Sequence, residues 1–79
     1  MPTTIHEPEH LRLVGMLRDL RRRAGLRQAD LADRLGVPQS FVSKYETGER
    51  RIDLLELKRI CEALGSSLTD FVERFESPE

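Results

Sequence analysis

Apolar residues recur along the chain at spacings of three and four, which is the repeat of an amphipathic helix. The pattern starts at Glu9, after a polar segment at residues 1–8 that contains two prolines and is predicted to be a flexible arm. Gly25 ends the first predicted helix, because glycine tolerates the left-handed conformation common at helix ends. The apolar positions of this helix are Leu13, Val14, Leu17, Leu20 and Ala24.

Two short helices follow. The second is predicted from about residue 28 to residue 35, and Gly36 ends it. Pro38 disfavours helical geometry at the residue before it but suits the first turn of a helix, so the third helix begins at 38 or 39 and runs to about 47. The inward positions of these two helices are predicted to be Leu31, Ala32, Leu35, Val42 and Tyr45.

The last third of the chain predicts two more helices. Asp53 with Glu56 three residues later is typical of a capping box at a helix start. Ser66 and Ser67 then offer an N-cap for a fifth helix, from about residue 68 to residue 75. The buried stripe of the fourth helix is predicted to contain Leu54, Leu57, Ile60, Cys61 and Leu64.

Length and composition agree with a small helical protein. The 79 residues suffice for one domain, placed at residues 9–76 with a tail at 77–79. Leu, Arg, Glu and Ala are frequent and aromatic residues make up 5%, which favours helices over a β-sandwich. The predicted fold class is therefore all-α, a compact five-helix domain.

The candidate chemistry excludes several classes of protein. Cys61 is the only cysteine, and His6 and His10, four residues apart, could pair on a metal but are better explained as a solvated chain end. The side chains of the sequence do not provide a catalytic set of nucleophile, general base and orienting group. We therefore expect no enzyme, no metal and no cofactor. The chain has no secretory signal and no apolar run near the ~20 residues of a membrane span, which predicts a cytoplasmic protein without membrane contact.

Charge is distributed unevenly although the net charge is only −1. Residues 12–51 contain ten basic and five acidic side chains, whereas residues 53–79 contain three basic and seven acidic ones. A polyanion would be attracted to one side of such a molecule and repelled by the other.

The most informative stretch is QADLADRLGVPQSFVSKYETG, residues 28–48, in which a helix, a glycine-centred turn and a second helix follow one another. Ala32 provides the small side chain needed where the two helices cross, and Gly36 provides the turn. This is the helix-turn-helix pattern, whose second helix enters a DNA major groove.

The segment from Leu17 to Arg51 resembles the phage repressor/Cro family of helix-turn-helix domains (XRE-like), which implies a lambda-repressor-like fold. The later segment from Leu54 to Val72, with EALG and LTDFV, is similar to the fourth and fifth helices of that family. One departure is Ile52, where the family usually has proline at the start of the fourth helix.

The resemblance implies site residues. Gln28 matches a glutamine that contacts a phosphate and braces a second glutamine, here Gln39, whose amide can pair with adenine. Arg21 and Glu46 match an ion pair between the first and third helices. Base contacts are expected from Gln39, Ser40 and Phe41, although Phe41 could instead be core. Backbone contacts are expected from Arg27, Gln28, Ser43, Lys44, Arg50 and Arg51.

The fifth predicted helix is more apolar than a small bundle requires, through Phe71, Val72 and Phe75. Some of these side chains are expected to remain exposed and to form a homodimer interface. A two-fold dimer would place two recognition helices roughly 34 Å apart on an inverted repeat of double-stranded DNA.

The predicted function is a sequence-specific transcriptional regulator, a homodimeric repressor or autoregulator. A different class stays open, an antitoxin-type protein-interaction module whose acidic C-terminal third binds a basic partner protein. The absence of a toxin-wrapping tail of about 20 or more residues argues against it. A restriction-modification controller is a third possibility, within the DNA-binding class.

Overall fold

The computed structural model describes residues 7–77, which form five helices and no strand, so the all-α prediction is confirmed for this range. The helices are α1 (Pro8–Arg23), α2 (Gln28–Leu35), α3 (Gln39–Glu46), α4 (Leu54–Ala63) and α5 (Leu68–Glu76). Helix α1 begins at Pro8, inside the segment predicted as an arm, because proline is well suited to a first helical position. Most of that arm, including His6, and the last two tail residues lie outside the described range.

Local sequence signals explain where the helices begin and end. Gly36 follows α2 with φ 70° and ψ 34°, a left-handed conformation that allows the sharp turn into α3. The capping box at α4 is confirmed, since Asp53 Oδ1 accepts from the Glu56 amide at 2.7 Å and Glu56 Oε1 accepts from the Asp53 amide at 3.0 Å. Ser67 caps α5 by accepting from the Asp70 amide at 3.1 Å.

All five helices contribute to one core. Helix α3 packs against α2 and α1, α2 packs against α4, and α5 packs against α4. The thiol of Cys61 is part of this interior, and burial raises its pKa to about 11, so it behaves as a small neutral side chain. The buried apolar residues are Val14, Leu17, Leu31, Ala32, Val42, Tyr45, Ile60, Cys61, Leu64 and Phe71.

Two apolar side chains lie where the sequence pattern did not predict them. Leu54, predicted to be buried, is 66% exposed, because it is the first residue of α4 and the core lies under later turns of that helix. Phe71, predicted at a dimer interface, is 1% exposed and belongs to the core, so that assignment is wrong. A small bundle needs one large side chain from α5 to close it, and Phe71 fills that space.

The C-terminal end of α5 is held by α1. The guanidinium of Arg12 lies 4.1 Å from the centre of the Phe75 ring, and its Nη2 donates to the Phe75 carbonyl at 2.9 Å. Phe75 is therefore half-buried and covered on one face, which leaves Val72, 39% exposed, as the open member of the predicted α5 interface.

No described helix is long and apolar enough to span a lipid bilayer.

Candidate nucleic-acid interface

Helix α3 presents a polar face to solvent. With about 3.6 residues per turn, Val42 and Tyr45 face the core and are fully buried. The opposite side carries Gln39, Ser40 and Lys44, all exposed, with Ser43 half-buried between them. These four polar side chains define what we call the α3 face: Gln39, Ser40, Ser43 and Lys44.

Phe41 does not belong to the α3 face. Its ring meets the Tyr45 ring edge-on, with 5.7 Å between centres and 75° between planes, and the Arg50 guanidinium lies 4.5 Å from its centre. The side chain also borders a small groove shared with Leu35 and Ile60. The half-buried ring thus packs against the core beside α4, as the alternative expectation from the sequence has it, and its base contact stays an untested prediction.

A buried ion pair fixes α3 to α1. Arg21 Nε lies 2.7 Å from Glu46 Oε2, Arg21 Nη2 donates to Glu46 Oε1 at 3.0 Å, and the two side chains are 8% and 3% exposed. Arg21 Nη1 donates to the Leu26 carbonyl at 2.7 Å. The hydrogen bond with Glu46 raises the pKa of Arg21, so the arginine remains charged. The structure thereby brings together the two residues paired by the family resemblance.

Two glutamines extend this pair to the start of α3. Gln28 Nε2 donates to Glu46 Oε1 at 3.0 Å, and Gln39 Nε2 donates to Gln28 Oε1 at 3.4 Å, a long hydrogen bond. A carboxylate only accepts hydrogen bonds, so the Gln28 nitrogen must face Glu46 and its oxygen must face Gln39. Gln39 is therefore held with its own Oε1 and one N–H directed away from this chain of contacts.

The loop after α3 is held by backbone and arginine contacts. The Lys44 carbonyl accepts from the amides of Glu49 at 2.9 Å and Arg50 at 3.2 Å. Arg50 makes two parallel contacts with the Glu56 carboxylate, each 3.0 Å, and donates to the Arg51 carbonyl at 2.8 Å. These contacts place the Arg50 guanidinium at the α3–α4 junction. Its side chain is still 40% exposed, and its phosphate contact stays a prediction.

Glu56 was predicted only as a helix cap. Its additional role as the partner of Arg50 lowers the pKa of its carboxyl group. A clue to this role in the sequence is the position of Glu56 one turn into a helix that follows a short arginine-rich loop.

Other basic side chains are partly used inside the molecule. Arg27 is exposed, but its Nη2 lies 2.9 Å from Asp30 Oδ1, and this contact lowers the pKa of Asp30 to about 2. Arg34 donates to the Ala63 carbonyl at 2.9 Å and so caps the end of α4. Lys44 and Arg51 are exposed at the end of α3 and in the following loop. Fewer cations than the sequence suggests are therefore available to a polyanion.

Helix α3 is short and exposes a polar face. A glutamine pair holds its start, and a buried ion pair holds its end. This arrangement is that of a DNA-binding helix-turn-helix protein. The family model described as helix-turn-helix matches residues 17–71, and the chain belongs to that family, in its XRE-type branch of transcription regulators. No curated protein matches the chain significantly.

Solved structures show the same fold over most of the chain. An XRE-family-like protein from Pseudomonas syringae pv. tomato str. DC3000 is 39% identical with a TM-score of 0.85, covering 94% of this chain and 93% of that one. The restriction-modification controller C.AhdI from Aeromonas hydrophila is 28% identical with a TM-score of 0.76, covering 82% and 98%. The clp gene regulator ClgR from C. glutamicum is 26% identical with a TM-score of 0.75, covering 86% of each chain.

Proposed function

We propose that this regulator binds an inverted-repeat operator as a homodimer, with α3 of each copy in a major groove. The observation that carries the proposal is the chain of contacts from the buried Arg21–Glu46 pair through Gln28 to Gln39. These contacts fix the exposed start of α3 before any DNA is present, so the side chains give up little freedom on binding. A polar helix face that contacted only solvent would not require a buried ion pair to hold it in place.

The fixed orientation of Gln39 favours adenine. Adenine presents an acceptor at N7 and a donor at N6 in the major groove, and a glutamine amide matches both. Gln39 retains one N–H and its Oε1 for this purpose because its other N–H faces Gln28. Ser40 is exposed next to it and is the second candidate for a base contact.

Affinity is proposed to come from contacts with the DNA backbone. Ser43, Lys44 and Arg51 lie on or just after α3, while Arg27 and Gln28 lie at the start of α2. Each phosphate neutralised releases counterions, so binding weakens linearly in log salt with a slope of about −0.9 per contact. Since Arg27 is already paired with Asp30, we expect Lys44, which is exposed near the end of α3, to contribute most to this slope.

A restriction-modification controller is the second candidate. It is favoured by the 28% identity to C.AhdI over 82% of this chain. Both candidates share the DNA-binding mechanism and differ in the genes that the operator controls.

The proposal is tested by selecting bound sequences from a random DNA pool with the full chain, and in parallel with Gln39→Ala. We expect the wild type to enrich an inverted repeat and Gln39→Ala to lose the preference at one position of each half-site, at a cost of ~1–3 kcal/mol. Lys58→Ala on α4 is a control that should enrich the same repeat. Failure of the wild type to enrich any sequence would overturn the proposal.

A further inference from the structure

A groove lies between α1 and α5, and none of the residues that line it belongs to α3. Its volume is about 200 Å³. Arg21, which is buried against Glu46, lies about 160° around the α1 axis from Arg23, so the groove and the ion pair are on different sides of α1. The residues that line this α1–α5 groove are Met16, Asp19, Leu20 and Arg23 of α1 with Phe71 and Arg74 of α5.

The floor of the α1–α5 groove is apolar. Met16 and Leu20 are half-buried, and Phe71, which is 1% exposed, lies beneath them in the core. Because all three side chains pack against the core, the floor is formed before any ligand arrives. Such a surface favours a ligand with an apolar body, which gains free energy from the area removed from water.

Two arginines lie at the rim of the groove. Arg23 and Arg74 are exposed, and within residues 7–77 neither guanidinium takes part in a hydrogen bond or an ion pair. By contrast, Arg12, nearer the start of α1, is committed to Phe75. Asp19 also lines the groove, which leaves the rim with one net positive charge. Unused N–H donors beside an apolar floor are complementary to an anion that carries an apolar body.

We propose that the α1–α5 groove binds a small monocarboxylate, whose carboxylate pairs with Arg23 and Arg74 and whose apolar chain covers the floor. The planar guanidinium group matches a carboxylate with two parallel hydrogen bonds. The groove is smaller than the ~300–1,000 Å³ typical of sites for drug-sized ligands, which excludes a nucleotide-sized molecule. A nucleic acid would instead favour a basic surface without an apolar floor and without the Asp19 carboxylate.

A neighbouring hollow limits where the charge of the ligand can lie. This hollow has a volume of about 480 Å³ and shares Leu20 and Arg74 with the α1–α5 groove. Asp70 and Glu73 also line it, and their carboxylates would repel an anion. The carboxylate of the ligand is therefore confined to the α1–α5 groove, and only an uncharged end of its chain can extend into the hollow.

The test titrates the full, isotope-labelled chain with octanoate and follows the backbone amides by NMR. We expect saturable shifts concentrated at residues 16–23 of α1 and 71–74 of α5. Octylammonium has the same chain with the opposite charge, and acetate has the same charge without the chain. Each should bind at least about tenfold more weakly than octanoate, because each lacks one of the two kinds of contact.

The role of the two arginines is tested with Arg23→Gln/Arg74→Gln, which removes both cations without breaking a contact inside the protein. This variant should bind octanoate about tenfold more weakly and lose its preference for octanoate over octylammonium. Arg22→Gln/Arg59→Gln is the matched control, because it changes two exposed arginines outside the groove and has the same net charge. It should bind octanoate within about twofold of the wild type, since distant exposed charges are screened. Thermal melting establishes that both variants fold.

Equal affinities for octanoate and octylammonium, or for octanoate and acetate, would overturn the proposal, as would equal losses in the two double variants. A complete lack of saturable shifts would also overturn it and would leave a side chain of a partner protein as the occupant. Shifts of the same amides on dilution without octanoate would overturn it too, because a second copy would then cover the groove. The titration contains no DNA, so its outcome is independent of the proposed function.

Discussion

The Gln28 amide nitrogen lies 3.0 Å from the Glu46 carboxylate, and this contact directs the Gln28 oxygen toward the amide of Gln39. Glu46 is charged and buried against Arg21, so it acts as an acceptor anchored in the core. The direction of every hydrogen bond beyond it follows from that anchor. The ion pair and Gln39, the residue proposed to read a base, are therefore parts of one polar network.

Removal of Gln28 tests this network. We expect Gln28→Ala to broaden the base preference at the position read by Gln39 while the protein remains folded, because the Gln39 amide is then free to rotate. The measurement is a competition assay between operators that differ at that position. Asp33→Ala, an exposed change on the same helix, is the control. If the Gln28→Ala protein keeps its full preference for adenine, the orientation of Gln39 does not depend on Gln28.

Loss of the Glu46 charge should be the most costly single polar change. Glu46→Gln leaves the Arg21 guanidinium buried without its counter-ion, for which about 3–5 kcal/mol of destabilisation is typical. A domain of this size has only a few kcal/mol (~3–5) in reserve, so the variant should be largely unfolded in urea titrations that the wild type resists. Asp30→Asn, which breaks an exposed pair, should cost far less stability than Glu46→Gln, because solvent screens exposed ion pairs. Similar losses in the two variants would contradict a special role for the buried pair.

Removal of the Tyr45 hydroxyl, unlike loss of the Glu46 charge, is expected not to destabilise the fold. Tyr45 is fully buried, and its oxygen has no hydrogen-bond partner among the described residues. Burial raises the pKa of this phenol, so it remains neutral. An unsatisfied buried hydroxyl costs about 1–3 kcal/mol, and Tyr45→Phe removes it while keeping the ring that packs on Phe41. We expect equal or higher stability in chemical unfolding, and a clear loss would mean that the hydroxyl has a partner such as a buried water.

The sequence predicted the helices better than it predicted the surroundings of individual side chains. The turn at Gly36 and the cap formed by Asp53 and Glu56 depend on near neighbours, so their signals are local. Leu54 fits the helical repeat but lies beyond the edge of the core. The repeat indicates which face of a helix is apolar, but it does not show how far along the helix the core extends. The pairing of Arg50 with Glu56 depends on how α3 and α4 meet, and no local spacing encodes that contact.

Stability should fall in acid through two carboxyl groups. The arginine contacts of Asp30 and Glu56 lower the pKa of Asp30 from 3.8 to about 2 and lower the pKa of Glu56 from 4.5. Because the folded-state pKa lies below the unfolded one, each contact stabilises the fold fully above the unfolded value and less as the pH falls. We expect the melting temperature to drop between about pH 4.5 and about pH 2. Glu56→Gln should flatten that profile, and an equally steep profile in the variant would assign the acid sensitivity to other groups.

Variants of Phe41 and Lys44 distinguish a side chain of α3 that packs within the fold from one that is proposed to contact DNA. Phe41→Leu removes the ring contacts with Tyr45 and Arg50, so it should lower the free energy of unfolding while the enriched operator stays the same. Lys44→Ala removes an exposed cation from the α3 face and should leave stability unchanged within about 0.5 kcal/mol. Its effect should appear in the salt dependence of binding, whose slope should decrease in size by about 0.9 because one phosphate is no longer neutralised. A changed base preference in Phe41→Leu would instead return the phenyl ring to the DNA-reading surface, and an unchanged salt slope in Lys44→Ala would remove the lysine from it.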